Sequence, residues 1–141
     1  MGIAAAQLAA QGKKLLITAP SPQAASTALT HFSQLADATH HSKLQFIPCD
    51  ELLRSNLTAD LLLVDEAAAI PTPVLQHLLQ RFNRIVFATT EHGYEGTGRG
   101  FQLRFQQHLN QQCPGWRKLH IQQPIRYQSD DPLEQLIFNC F

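Results

Sequence analysis

The most apolar run of the chain, Leu61-Leu62-Leu63-Val64, ends in two adjacent carboxylates, Asp65 and Glu66. A strand of such residues is suited to burial on both faces, and the C-terminal end of such a strand is where open α/β sheets place ligands. Two acids at that point can divide the work of phosphoryl transfer. One helps hold a divalent cation, usually through water, and the other orients the water that attacks the terminal phosphate. Asp65 suits the first role, with Mg²⁺ as the cation, and Glu66 the second. Taken alone, the run fits equally a strand that ends in two solvated acids.

Further along stand other groups with chemical capacity. Thr89 and Thr90 close the next apolar run, Ile85 to Thr89, and their hydroxyls can hydrogen-bond a γ-phosphate or its water, or cap a loop. The segment Gly93-Tyr94-Glu95-Gly96-Thr97-Gly98-Arg99-Gly100-Phe101 follows. Its glycines, Gly93, Gly96, Gly98 and Gly100, permit backbone conformations closed to other residues, and they precede a helical stripe whose N-terminus favours an anion. With Arg99 beside it, this loop fits a phosphate or RNA contact; the alternative is a turn that simply needs glycine. Thr18-Ala19-Pro20, at the end of an earlier apolar run, fits a plain strand-to-helix turn or a loop that contacts nucleic acid. The seven histidines form neither an HExxH nor a Cys/His ligand spacing, and Cys49, Cys113 and Cys140 include no CxxC pair.

The elements that must position these groups can be read from the pattern. Apolar runs at Leu15 to Thr18, Leu44 to Ile47, Leu61 to Asp65, Ile85 to Thr89 and Leu119 to Gln122 alternate with segments of helical period. That alternation predicts an α/β fold, a parallel sheet with helices on both faces. The first helix covers Ile3 to Ala10 and ends near Gly12. A second carries Ala24, Ala25, Ala28, Leu29, Phe32 and Leu35 inward, with Ser21 as N-cap and Pro22 at the first helical position. A third puts Val74, Leu75, Leu78, Leu79 and Phe82 on one face behind Pro71. A fourth places Phe101, Phe105 and Leu109 together behind the glycine segment, and a last one opens at Asp131 with Pro132 and Glu134. A parallel α/β domain ordinarily starts with a strand, so a helix at the start implies a missing strand upstream.

Composition narrows the classes. Eleven Lys plus Arg balance eleven Asp plus Glu, which gives no support for a broad basic nucleic-acid platform, so any RNA contact is expected to be local. The opening residues lack a basic n-region, and no apolar stretch approaches the ~20 residues of a membrane span. Unpaired cysteines fit a reducing cytoplasm.

Taken in order, Asp65-Glu66-Ala67-Ala68-Ala69-Ile70-Pro71, Thr89-Thr90, the Gly93 to Phe101 run and Gln123-Pro124-Ile125-Arg126-Tyr127 resemble the helicase domain of the tRNA(Met) cytidine acetyltransferases. The likeness runs from about Lys13 to Asn139, with Tyr127 standing where the family has tryptophan. It implies a parallel-sheet P-loop NTPase of the superfamily 1 helicase type, a three-layer α/β/α core. It also implies ATP, Mg²⁺ and, in a domain downstream, acetyl-CoA as cofactors, with elongator tRNA(Met) as partner and N4 of the wobble cytidine as acetyl acceptor. By the same resemblance Arg126 meets an ATP phosphate, where a planar, permanently charged guanidinium can stabilise developing charge. The family's glycine-rich phosphate loop is expected immediately ahead of a helix like Ile3 to Ala10, and no GxxxxGK[ST] occurs in these 141 residues. Residues 1–141 are therefore expected to be a partial helicase-like ATPase domain without its P-loop strand, inactive alone and open to self-association along the sheet. Two other readings compete: a superfamily 1 motor that unwinds nucleic acid, and a non-catalytic RNA-binding domain that retains an NTPase fold.

Overall fold

A computed structural model describes residues 1–90 and 97–119, of which 97–102 as backbone only. The chain divides into two compact units, Met1–Gln107 and His108–Phe141.

The first unit is built on a four-stranded, all-parallel sheet in the order β2-β1-β3-β4, where β1 is Leu15–Thr18, β2 Leu44–Phe46, β3 Leu61–Val64 and β4 Ile85–Phe87. The two central strands are the apolar runs, and Leu15, Leu16, Ile17, Leu62 and Val64 are fully buried. Each such side chain contributes roughly 1.5–3 kcal/mol relative to exposure. Alternation along the strands sends Leu15, Ile17, Leu44 and Leu63 to one face, where they meet Ala5, Ala6 and Ala9 of α1 (Gly2–Ala10) and Ala25, Ala28 and Phe32 of α2 (Pro22–Leu35). The other face belongs to α3 (Cys49–Arg54) and α4 (Thr72–Arg81), with Leu52, Leu75 and Leu78 fully buried. On that same side the ring of Phe87 meets that of Phe105, from α5 (Thr97–Gln112), edge to face at 5.0 Å. This is the three-layer α/β/α arrangement expected.

Local signals account for the helix ends. The Ser21 hydroxyl accepts the N–H of Ala24 at 3.2 Å and Pro22 opens α2, as the sequence predicts. Gly12, at φ +80°, ends α1 in a Schellman motif: its N–H reaches the Ala9 carbonyl and that of Lys13 the Leu8 carbonyl. Gly2 has a different purpose. A Cβ there would lie 2.1 Å from the Ala28 carbonyl oxygen, so the close crossing of α1 on α2 requires glycine. Below the sheet, the side chain of Asp60 accepts the N–H of Lys14 while its own N–H reaches the Lys14 carbonyl, both at 2.8 Å, aligning the starts of β1 and β3.

Several boundaries differ from the reading of the sequence. β3 stops at Val64 rather than Asp65 because the backbone turns at Glu66, and β2 and β4 end at Phe46 and Phe87. α3 is an addition to the expected helices: six residues are too few to show a period, although Asp50 and Glu51 in its first turn and Arg54 in its last follow the helix dipole. Its C-terminal carbonyls, those of Leu52 and Ser55, accept hydrogen bonds from the Arg81 guanidinium at the end of α4. The expected helix behind the glycine segment starts earlier than predicted, at Thr97, so Gly98 and Gly100 are helical residues of its first turn and not loop residues. A glycine costs about 1 kcal/mol in a helix interior, and less is lost in a first turn whose N–H groups lack intrahelical partners anyway. Of the fifth predicted strand, Leu119 is irregular and 88% exposed, while residues 120–122 lie outside the described residues, as does the helix expected from Asp131.

Within the second unit, the described residues end α5 and turn back on it. The N–H of Trp116 reaches the Cys113 carbonyl, and its indole N–H donates to Asn110 Oδ1 at 2.7 Å.

Candidate functional site

Parallel strands all deliver their C-terminal ends to one edge of the sheet, and there the predicted residues of β3 and β4 come together. The register sets Val64 beside Phe87, so Asp65 and Glu66 leave β3 next to Ala88, Thr89 and Thr90 leaving β4. Backbone bonds fix the arrangement. The N–H of Asp65 donates to the Thr18 carbonyl of β1 at 2.9 Å, and that of Ala67 to the Ala88 carbonyl at 2.9 Å. Glu66, between them, is in the left-handed conformation, φ 48° and ψ 45°, and its N–H donates to Asp65 Oδ1 at 3.1 Å. Asp65 is half-buried and Glu66 exposed. Thr89 is half-buried, and its hydroxyl donates to the Thr90 carbonyl at 3.4 Å, a long bond that a stronger acceptor could displace.

This chemistry fits a hydrated divalent cation. A carboxylate has about four acceptor sites, so Asp65 can keep the Glu66 amide and still face the water shell of Mg²⁺, which is commonly held by one or two carboxylates together with substrate phosphates. Among the described residues no group of three or more His, Cys, Asp or Glu side chains gathers into a metal cage of its own.

The other predicted residues are placed differently. Gly98, Arg99 and Gly100 form part of the first turn of α5. Gly93, Gly96 and Arg126 lie outside the described residues. At the turn after β1, Thr18 is fully buried with its hydroxyl 3.1 Å from Cys49 Sγ, Ala19 is buried and Pro20 is exposed. A hollow of about 270 Å³ opens there, lined by Ala19, Pro20, Phe46, Cys49, Ile70 and Val74 among others. Sequence reasoning missed this hollow and the role of Ala88, because a backbone carbonyl leaves no mark on residue type.

Comparison with known proteins agrees with the order of these motifs. The family described as "RNA cytidine acetyltransferase NAT10/TcmA, helicase domain" matches residues 1–141. A protein of Nitrosococcus halophilus named tRNA(Met) cytidine acetyltransferase TmcA is 47% identical over 150 residues, covering 99% of this chain and 20% of the relative. One of the same name from Vibrio cholerae is 43% identical over 145 residues, 96% of this chain and 20% of the relative. Another, from Thermofilum pendens, is 49% identical over 81 residues, 57% of this chain and 10% of its own length. The chain thus spans about a fifth of the length of the first two relatives. By the match along its whole length, it belongs to the helicase-domain family of the RNA cytidine acetyltransferases.

Proposed function

We propose that this domain hydrolyses ATP within an enzyme that uses acetyl-CoA to acetylate N4 of the wobble cytidine of elongator tRNA(Met). The observation that carries the reading is the delivery of Asp65 and Glu66 from the end of a buried strand to the side of Thr89, at the sheet edge where this class of fold takes its ligands. Relatives named tRNA(Met) cytidine acetyltransferase supply the substrate class.

In this reading Glu66 orients the attacking water and Asp65 faces the hydrated Mg²⁺, which when bound neutralises charge on the phosphates. Thr89 and Thr90 hydrogen-bond the γ-phosphate or its water. Arg126 meets a phosphate, and the segment holding Gly93, Gly96, Gly98, Arg99 and Gly100 contacts RNA or phosphate. The enzyme works in the cytoplasm on its tRNA, where unpaired thiols such as Cys49 and Cys113 persist. Residues 1–141 alone are inactive and self-associate through the edge of β4, which pairs with no described strand on its outer side.

The test is ATP turnover and tRNA acetylation by the whole enzyme carrying Glu66→Gln. Nucleotide binding should persist while turnover falls by at least about a hundredfold, the scale of a lost general base. Wild-type turnover in that variant would remove Glu66 from the mechanism.

A further inference from the structure

Glu66 is the one non-glycine residue with positive φ among the described residues. For an L-residue with a Cβ the left-handed conformation is disfavoured on the order of tenfold, and such a residue persists only where its surroundings over-determine it. Here they do. Asp65 and Ala67, on either side, are pinned through their N–H groups to carbonyls of Thr18 and Ala88, which belong to the chain segments flanking β3. Between these anchors the side chain of Asp65 accepts the Glu66 N–H and closes the turn.

A solvated acid at the end of a strand has no need of this. Glycine would adopt the turn without strain, and asparagine is the side chain that tolerates it best. We propose that Asp65 is a positioning residue for Glu66: by holding the Glu66 amide it keeps that residue in the left-handed turn that carries its carboxylate off the end of β3. The glutamate stands there against the conformational preference of its backbone. The two acids thus act as a unit, one setting the direction of the other, in addition to any contact Asp65 makes with a hydrated cation. This rests on Glu66 as the water-orienting residue, but its test does not depend on nucleotide.

The test compares variants of the 141-residue chain by urea unfolding and by amide hydrogen exchange at position 66. Glu66→Gly should shift the folding equilibrium about tenfold in favour of the folded state relative to Glu66→Ala, the reverse of the order at an ordinary exposed site. Asp65→Asn keeps an acceptor oxygen and should preserve protection of the Glu66 amide. Asp65→Ala should speed that exchange severalfold while the Ala67 amide is unchanged. If Asp65→Ala unfolds the chain, the Gly-versus-Ala comparison at position 66 still tests the left-handed turn, and protection of the Glu66 amide in Asp65→Asn against Asp65→Gly tests the hold that Asp65 has on it. A glycine variant no more stable than the alanine one overturns the proposal, and so does an Asp65→Asn chain whose Glu66 amide is as unprotected as in Asp65→Ala. Failure of the ATPase reading would show separately, as full turnover in Glu66→Gln.

Discussion

Asp65 and Glu66 are neighbours, yet the fold treats them differently: one is half-buried and holds a backbone amide, the other is exposed on a strained turn. The proposed roles, cation-facing for Asp65 and water-facing for Glu66, ask for such a division. The pair was legible in the sequence because four apolar residues ending in two acids define a buried strand with a polar tip. The turn was not, since Glu66-Ala67 carries none of the Gly or Asn that normally announces positive φ; its ends are anchored by bonds to β1 and to Ala88 after β4, contacts remote in sequence, and the Asp65 side chain closes it. Arg126 lies beyond the described residues, so its proposed contact with ATP phosphate rests on the resemblance of Gln123 to Tyr127. In the whole enzyme Arg126→Ala should lower ATP turnover roughly a thousandfold. A surface ion pair would be worth only ~0–1 kcal/mol to stability and nothing to turnover. Steady-state ATPase rates, with circular dichroism to confirm folding, separate the two, and an unchanged rate excludes the arginine.

At the scale of elements, the alternation of apolar runs and helical stripes was enough to give the parallel sheet, its four described strands and the helices on both faces. Pairing order was not readable, because a period of two says which face a side chain takes and not which strand lies alongside. The order has a physical consequence at the two edges. Both edge strands have three residues and follow a basic residue, Lys43 or Arg84, but β2 carries the polar Gln45 and runs into Pro48, which discourages further pairing. β4 is apolar, carries neither charge nor proline, and leaves Val86 45% exposed. An edge of this kind recruits another strand. Sedimentation of the 141-residue chain should therefore show dimers or larger species at micromolar concentration. Val86→Lys, which places a charge on that strand, should return it to a monomer without loss of fold. Association that survives the substitution would locate the contact elsewhere.

For the whole molecule, balanced charge removes the long-range repulsion that keeps many domains apart and gives no general attraction for RNA. Nucleotide affinity is similarly bounded. These residues include no GxxxxGK[ST] loop, and hydrogen bonds to charged groups contribute ~1.5–3 kcal/mol each, so three absent phosphate contacts weaken binding by about 5–9 kcal/mol. At about 1.4 kcal/mol per tenfold, a micromolar site becomes millimolar or weaker. Calorimetry of the 141-residue chain with ATP and Mg²⁺ should register no micromolar binding, and a micromolar constant would mean that other groups here cradle phosphate. The guanidinium of Arg81 bears on a separate property. α3 has six residues and one fully buried side chain, too little to persist as a helix without support, and its end is tied down by that single side chain reaching from α4. Opening of this face is thereby expected to be coupled: when the end of α4 frays, the C-terminal end of α3 loses the hydrogen bonds that Arg81 gives it. Arg81→Ala should therefore speed proteolysis around Ser55 while leaving the sheet intact, and an unchanged cleavage rate would show that α3 opens independently of α4.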